Sequence, residues 1–433
     1  MSRRLAAALL AAACVAALPA VAQPVTERPA FTPSPLQSSG YDASIPAPEQ
    51  VLGHRLGQRI TPTAEVHRYF EALQAAATDR MRIGQYGQTH EGRPLVWSVI
   101  GSPRNIARLD QIQAAAQALA DPRRTDAAQA QALMPDQPAI VWLAHSVHGN
   151  EISPAESAMA IARHLLASPD DPRVREILEN TLVFILPTQN PDGRERFIAS
   201  YAAAAGIRID PDPLSAERAE RWPTGRFNSA LFDLNRDWFA QTQPETRGHS
   251  ALLRSWTPHV VVDAHEMGTD DTFFFPPEAE PHNPLLPPRQ METRAVIGRN
   301  TGQWFDRLGL DYFTREVYDA FYPGYGDAWP SYLGAVSMTY EQGSARGLAA
   351  RRSSGDILTY PETIQGHFTA ALSTLETATR ERQRLLTDHW AHSREAVARS
   401  GGWVLPRDAA DPGAADRLAE LMALQGVEVS RVS

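Results

Sequence analysis

The sequence predicts an α/β fold, in which buried strands lead through short turns into helices. The first observation is a continuous apolar run at residues 139–143, followed by a helix start at residues 153–156. The second is that similar runs recur at residues 182–186, 260–262 and 336–340. Continuous apolar runs are typical of strands that helices cover on both faces of a parallel sheet.

Further elements are predicted on either side of these runs. Ser153 and Glu156, with a proline between them, predict a capping box at the start of the helix after residues 139–143. Apolar residues spaced three and four apart predict one long helix over residues 362–399. The other predicted elements are a helix at 63–77, strands at 81–86 and 95–100, and an alanine-rich helical segment at 105–134.

The composition is that of a globular enzyme rather than a nucleic-acid-binding protein. Hydrophobic residues make up 43% of the 433 residues, and the formal net charge is −9. Basic residues are scattered rather than clustered, so nucleic acid is not an expected partner. All 41 basic residues are arginine, which excludes chemistry that depends on a lysine nucleophile or a lysine Schiff base.

The first residues predict a secreted or periplasmic protein. Arginines precede an apolar run, and an Ala-x-Ala signature ends at Ala22, so residues 1–22 are predicted to be a cleavable signal peptide. The run is too short for a membrane span. Lipoprotein anchoring at Cys14, the one cysteine of the sequence, is the competing interpretation.

Four segments are expected along the chain. After the signal peptide, residues 23–47 form an arm rich in proline and serine, and residues 48–400 form the main domain. Residues 401–433 predict a strand at 403–405, a helix at 414–424 and a strand at 427–432. This small βαβ-like appendage either packs on the main domain or begins a second domain.

Side chains that bind metals occur at the ends of two predicted strands. His148 and Glu151 lie in the turn after residues 139–143, and His265 follows the run at residues 260–262. Two imidazoles and a carboxylate make up the protein ligands of many catalytic zinc sites. His145 and Glu266 are the alternative ligands at the same two positions.

Two further clusters carry side chains suited to catalysis and binding. Glu341 ends the run at residues 336–340, where a carboxylate could act as a general base. Asn235 and Arg236 lie between aromatic residues and offer an amide and a guanidinium that can bind a carboxylate.

These clusters together resemble the carboxypeptidase A-type family of zinc metallocarboxypeptidases. The resemblance covers about residues 48–400, and it rests on five features in the order of that family: His148 with Glu151, Asn190-Pro-Asp-Gly193, Asp233-Leu-Asn-Arg236, His265 and Glu341. It implies a single domain with a central mixed, mostly parallel twisted sheet flanked by helices. It also implies one Zn²⁺ ion, held by His148, Glu151 and His265.

The resemblance implies a role for several other side chains. Asn235 and Arg236 would hold the terminal carboxylate of the substrate, and Asp233 would orient a zinc-bound histidine. Arg226 would face the developing oxyanion, with Arg221 as the reserve candidate. Tyr318 would close over the substrate, although Tyr322 and Tyr325 lie within reach of the same role.

The expected function is hydrolysis of the C-terminal peptide bond of peptides that have a free C-terminus, with Glu341 as base and metal-activated water as nucleophile. An alternative is a zinc amidase or peptidase that acts on cell-wall peptides or another acyl-amino acid. A non-catalytic binding protein of the same fold is a third possibility, which the presence of the complete residue set disfavours.

Overall fold

A seven-stranded mixed sheet forms the centre of the molecule. The computed structural model describes residues 28–38, 40–399, 401–407 and 410–431. The strands of the sheet are β1 (Met81–Gln88), β2 (Pro94–Ile100), β3 (Ala139–His145), β4 (Thr181–Leu186), β5 (Val260–Met267), β6 (Phe273–Phe274) and β7 (Val336–Gly343). A separate antiparallel pair is formed by β8 (Ala349–Arg351) and β9 (Ile357–Thr359).

The sheet has a parallel centre and antiparallel edges. Its order is β1-β2-β4-β3-β5-β7-β6. The four central strands, β4, β3, β5 and β7, are parallel to one another. The outer strands β1, β2 and β6 each pair antiparallel with the strand beside them. The carboxyl ends of the four parallel strands therefore meet at one edge of the sheet, where ligands bind in open α/β folds.

Helices cover both faces of the sheet. They are α1 (Pro48–Leu52), α2 (Thr63–Ala76), α3 (Pro103–Ile106), α4 (Leu109–Ala120), α5 (Ala127–Leu133), α6 (Ser153–Ala167), α7 (Pro172–Asn180), α8 (Pro191–Ala204), α9 (Pro244–Trp256), α10 (Pro288–Leu308), α11 (Tyr360–Arg380), α12 (Arg382–Arg399) and α13 (Pro412–Leu424). Among the described residues, no helix combines the length and apolar character needed to cross a lipid bilayer.

Alternate residues of each central strand enter two different cores. Val141 and Leu143 of β3 pack with α6 and α11, whereas Ile140 and Trp142 face the opposite side and pack with α9. Successive side chains of a strand point to opposite faces, so a strand covered on both faces is apolar at every position. This arrangement accounts for the continuous apolar runs, and the predicted mixed, mostly parallel sheet flanked by helices is confirmed.

The arm before α1 packs on the main domain. The ring of Phe31 lies 5.4 Å from that of Phe368 of α11, centroid to centroid. Gln37 Nε2 donates to Thr369 Oγ1 of the same helix at 3.0 Å. The predicted signal peptide, including Cys14, lies outside the described residues.

The predicted capping box at α6 is wrong. The residue that caps the helix is Ile152, and no side-chain bond of the Ser153–Glu156 type forms there. Glu156 instead accepts a hydrogen bond from the Thr61 amide at 2.8 Å and lies 3.7 Å from the Arg194 guanidinium. Glu156 thus pairs with buried groups that are distant in sequence, Thr61 and Arg194, and not with the start of its own helix.

The predicted long C-terminal helix is two helices, α11 and α12, separated at Glu381. Because of this break, part of α12 packs in a different place from α11. Its Leu386 belongs to a small buried cluster with Leu119 of α4, Ala130 of α5 and Met134. Arg382, at the start of α12, donates to the Gln137 carbonyl at 2.8 Å.

The βαβ-like appendage is only partly present. α13 forms as predicted, but residues 403–405 and the described residues from 427 to 431 form no strand. Trp403 and Val404 are 94% and 82% exposed, so their side chains bury almost no surface against the rest of the described protein. β propensity without a partner does not make a strand.

Candidate metal centre

Two neighbouring parallel strands bring the predicted metal ligands together. β3 is paired with β5 so that His145 lies opposite Ala264. The turn after β3 carries His148 and Glu151, and His265 is the next residue of β5. All three side chains are buried, and one ligand atom from each lies within 4.8 Å of the others.

The two imidazole rings present the same nitrogen to this centre. Nδ1 of His148 lies 2.7 Å from Oε1 of Glu151, and Nδ1 of His265 lies 3.0 Å from Oε2 of that carboxylate. The two Nδ1 atoms are 3.3 Å apart. Two nitrogens and a carboxylate oxygen are the donor set of catalytic zinc sites that keep a position for water. The cluster therefore fits one zinc ion.

The other ring nitrogen of each histidine contacts a carboxylate. Nε2 of His148 lies 3.0 Å from Asp233 Oδ1, and Nε2 of His265 lies 2.9 Å from Asp263 Oδ2. Such carboxylates fix the tautomer and ring orientation of metal-binding histidines. The sequence analysis missed Asp263. The available signal was its position two residues before His265, which puts both side chains on one face of β5.

The electrostatics of the cluster favour a positive charge between its members. Burial alone would raise the pKa of Glu151, but the charges and hydrogen bonds of His148 and His265 hold that pKa well below its usual range. Burial acts to lower the pKa of His265, but Asp263 and Glu151 raise it well above the ordinary value. A cation at this point would satisfy the same negative groups.

The two alternative ligands are used elsewhere. His145 Nδ1 lies 3.2 Å from the carbonyl oxygen of Leu186. The carboxylate of Glu266 accepts from the amides of Ile152 and Ser153 at 3.0 Å each and from Ser344 Oγ at 2.6 Å. Glu266 thus binds the start of α6, in the role that the sequence analysis gave to Ser153 and Glu156.

Glu341 lies beside the metal cluster because of strand register. It is directly opposite His265 in the parallel pairing of β5 and β7. Burial raises the pKa of Glu341, and the carboxylates of Glu151 and Asp263 raise it further, although His265 acts in the opposite direction. A glutamate with a raised pKa is suited to exchanging protons near neutral pH.

Arg226 extends from a loop onto the metal cluster. Its Nε and NH2 groups donate to Oδ2 of Asp233 at 2.9 Å each. Its NH1 atom lies 3.3 Å from His148 Nδ1 and 3.7 Å from Glu151 Oε1. Arg221, the reserve candidate, is an exposed residue of the same loop. Of the two arginines, Arg226 is the one in contact with the cluster.

Glycines allow the Arg226 loop to approach the metal ligands. The Gly149 amide donates to the Gly225 carbonyl at 2.9 Å. A Cβ on Gly149 would lie 2.0 Å from the Arg194 nitrogen, and one on Gly193 would lie 2.3 Å from the Gly225 oxygen. Asn190 Nδ2 donates to the Arg226 carbonyl at 3.2 Å. The Asn190–Gly193 segment therefore holds the Arg226 loop against the turn after β3.

Asn235 and Arg236 lie in a short 3₁₀ turn next to the cluster. Asn235 is buried, its Oδ1 accepts from the Gly326 amide at 2.7 Å, and its Nδ2 lies 3.3 Å from His265 Nε2. Arg236 is exposed, and its guanidinium lies 4.5 Å from the centre of the Tyr325 ring. NH1 of this guanidinium donates to the Asn235 carbonyl at 3.0 Å, so the group is held at the surface beside Tyr325.

The three candidate tyrosines occupy different places. Burial raises the pKa of the Tyr318 hydroxyl, and the nearby carboxylate of Glu341 raises it further. Tyr325 stacks on Arg236, and Tyr322 packs edge-on against Tyr325 with centroids 5.1 Å apart. Of these three tyrosines, Tyr318 is thus the one whose hydroxyl is influenced by the charge of the predicted base.

The three phenylalanines after β5 are buried. Phe273, Phe274 and Phe275 are each at most 1% exposed. Phe273 packs on Phe305 of α10 with ring centroids 4.9 Å apart. These rings are part of the core.

Comparison with known proteins gives one family. The zinc carboxypeptidase family model matches residues 66–280. Carboxypeptidase Z of Homo sapiens is 31% identical over 132 residues, which are 29% of this chain and 17% of that protein. Probable carboxypeptidase 2 of Trichophyton verrucosum is 28% identical over 133 residues, 31% of this chain and 20% of that protein. The matches thus span a fifth or less of the length of these curated relatives.

A solved structure shares the fold. The crystal structure of thrombin activatable fibrinolysis inhibitor superposes with a TM-score of 0.50 and 13% identity. The match covers 76% of this chain and 78% of that one.

Proposed function

Since the zinc carboxypeptidase family model matches residues 66–280, we propose that this chain hydrolyses the C-terminal peptide bond of peptides with one zinc ion as cofactor. The observation that carries the proposal is the position of Glu341. This buried carboxylate lies opposite His265 in the strand pairing, next to the cluster of His148, Glu151 and His265. A base outside a three-ligand metal site is the arrangement required for hydrolysis by activated water.

The side chains around the metal site divide the chemistry among them. A bound zinc ion would supply Lewis acidity toward the scissile carbonyl and the attacking water. Glu341 takes the proton of that water and returns it to the leaving amine. Arg226, whose other nitrogens are held by Asp233, directs NH1 toward the place where negative charge develops.

Arg236 makes the proposed activity an exopeptidase activity. Its guanidinium is exposed beside the cluster and can pair with a substrate α-carboxylate through two hydrogen bonds. Asn235 supports this position from the buried side through its bond to the Gly326 amide. Tyr318, whose hydroxyl is influenced by the charge of Glu341, is the tyrosine that closes over the bound peptide in this proposal.

The proposal is tested by incubating the zinc-loaded protein with peptides in matched free-acid and C-terminally amidated forms. Release of one C-terminal residue from the free-acid forms alone, read by mass spectrometry, is the expected result. A muropeptide digest is treated in parallel, since cleavage there but not of ordinary peptides would favour the cell-wall amidase alternative. Internal cleavage of both forms, or no cleavage of any substrate, would contradict the proposal.

We also propose that the protein acts outside the cytoplasm, after removal of residues 1–22. The support is the apolar run and the Ala-x-Ala signature that ends at Ala22. N-terminal sequencing of the protein from the native cell tests it, with Gln23 expected as the first residue. A lipid-modified Cys14 at that position would show anchoring instead.

A further inference from the structure

The chain after α13 returns to the candidate site, outside the residues that the family model matches. α13 ends in a Schellman motif: the Val427 amide donates to the Met422 carbonyl at 2.9 Å, and the Gly426 amide donates to the Ala423 carbonyl at 3.0 Å. Gly426 has the left-handed conformation that this motif requires, with φ at 87°. The motif fixes the direction of the preceding residue, Gln425.

The side chain of Gln425 connects two loops of the site. Its Nε2 donates to the Trp238 carbonyl at 3.2 Å and to the Phe239 carbonyl at 2.6 Å. Its Oε1 accepts from Trp329 Nε1 at 2.5 Å. One amide thus uses its donors on the loop that carries Asn235 and Arg236, and its acceptor on the segment that follows Gly326.

The two loops are packed closely enough for this link to affect the anchor residues. The indole rings of Trp238 and Trp329 lie 5.5 Å apart, centroid to centroid. A Cβ on Gly326 would lie 2.8 Å from Trp238 Nε1, so the indole ring packs closely over the glycine at this position. The Gly326 amide in turn bonds to Asn235. A shift of Trp238 would therefore be transmitted to Asn235 and Arg236.

We propose that Gln425 is a positioning residue, which holds the Asn235 and Arg236 loop in register with the Gly326 loop for binding of the substrate carboxylate. This inference rests on the proposed function. Three hydrogen bonds from one half-buried side chain join segments that are far apart in sequence. Gln425 touches none of the metal ligands, so its effect reaches substrate binding through the loops alone.

The test compares Gln425→Ala and Gln425→Glu with wild type on a free-acid peptide. Glutamate keeps the acceptor for Trp329 but cannot donate to the two carbonyls. In both variants KM is expected to rise on the order of tenfold, with kcat little changed, because the lost contacts support ground-state binding of the carboxylate. Tryptophan fluorescence should change in Gln425→Ala, because the Trp329 indole loses its acceptor.

Two further comparisons make the test specific: a control variant in the same segment, and Gln425→Ala combined with Arg236→Ala. Glu428→Gln breaks only the exposed ion pair of the same segment with Arg123, and its KM should equal that of wild type. In an Arg236→Ala background, Gln425→Ala should add little further loss. The inference would be overturned by an unchanged KM or by a fall in kcat as large as the rise in KM. Effects of Gln425→Ala and Arg236→Ala on kcat/KM that are fully additive would also overturn it. Absence of hydrolysis by wild type would instead overturn the proposed function.

Discussion

At the scale of single residues, two aspartates determine how the metal cluster is presented. Asp233 and Asp263 each contact Nε2 of one histidine, so both rings direct Nδ1 toward Glu151. Asp233 also binds Arg226, which links the proposed oxyanion arginine to a metal ligand through one carboxylate. Asp263 is buried, and its other oxygen accepts a hydrogen bond from Gln189 Nε2 at 3.0 Å, so both oxygens of its carboxylate are held.

Asp263→Asn should weaken zinc binding without removing a ligand. The amide cannot hold the same His265 tautomer with the same charge, and loss of such a partner typically costs about 10–100-fold in metal affinity. Competition with a chelator measures the affinity. Asp271→Asn, a change outside the cluster, serves as control, and equal affinities for the Asp263 variant and wild type would exclude the orienting role.

Glu341→Gln should retain zinc and lose turnover. The amide keeps the shape of the side chain but cannot accept the proton of the attacking water, so kcat should fall at least about 10²-fold. Zinc content by atomic absorption and steady-state kinetics measure the two quantities. A variant with normal zinc content and near-normal kcat would remove Glu341 from the role of base.

Arg236→Ala should impair only substrates with a free α-carboxylate. Loss of a charge-assisted contact costs about 1.5–3 kcal/mol, which corresponds to roughly 10–100-fold in kcat/KM. Free-acid and amidated forms of one peptide are compared in the variant and wild type. If the residual cleavage of both forms fell by the same factor, Arg236 would not be the carboxylate anchor.

At the scale of elements, one carboxylate joins a strand to the start of a helix. Glu266 of β5 accepts from the first amides of α6 and from Ser344, which follows β7. The N-terminus of α6 lies directly after the turn that carries Glu151. The helix that supports the metal-binding turn is therefore held by the neighbouring strand, not by its own capping residue.

Glu266→Gln should destabilise the protein while leaving its zinc stoichiometry unchanged. The amide lacks one of the acceptor oxygens, which leaves buried donors unpaired at a cost of about 1–3 kcal/mol. Urea denaturation measures the free energy of unfolding. Glu362→Gln at the exposed capping box of α11 is the control, since glutamine can also serve there. Loss of zinc from a folded Glu266→Gln protein would instead make Glu266 a ligand.

At the scale of the whole molecule, the metal cluster joins parts of the fold that are distant in sequence. It takes ligands from the turn after β3 and from β5, and its surroundings from the Asp233 loop and β7. A cation bound there stabilises the assembled fold relative to the unfolded chain, in which these groups are separate.

Zinc should therefore raise the melting temperature of the metal-free protein. At a free zinc concentration about 100-fold above Kd, the linkage contributes about 2.7 kcal/mol. Differential scanning calorimetry with and without a chelator measures the shift, and Mg²⁺ serves as the control cation because it prefers oxygen ligands. His148→Ala should remove the zinc-dependent shift. A shift of equal size in that variant would place the stabilising ion elsewhere.

The sequence by itself determined the features that rest on local patterns. Apolar runs located the central strands, and the polar residues after them located the cluster that contains His148, Glu151 and His265. Strand periodicity and strand ends are encoded within a few residues, so they can be read without knowing what packs against them. The residues also predicted a base at Glu341 and a carboxylate-binding pair at Asn235 and Arg236. Resemblance to a family then supplied expectations for Asp233, Arg226 and Tyr318.

Only the tertiary structure decided how side chains distant in sequence pair with one another. It showed that His145 and Glu266 bind backbone groups, that Asp263 orients His265, and that the C-terminal segment reaches the site through Gln425. It also showed that the two segments predicted as strands beside α13 are not strands, because no neighbouring strand pairs with them in the described part of the chain. Hydrogen-bond partners and strand neighbours are set by the packing of the whole chain, and local sequence carries no record of them.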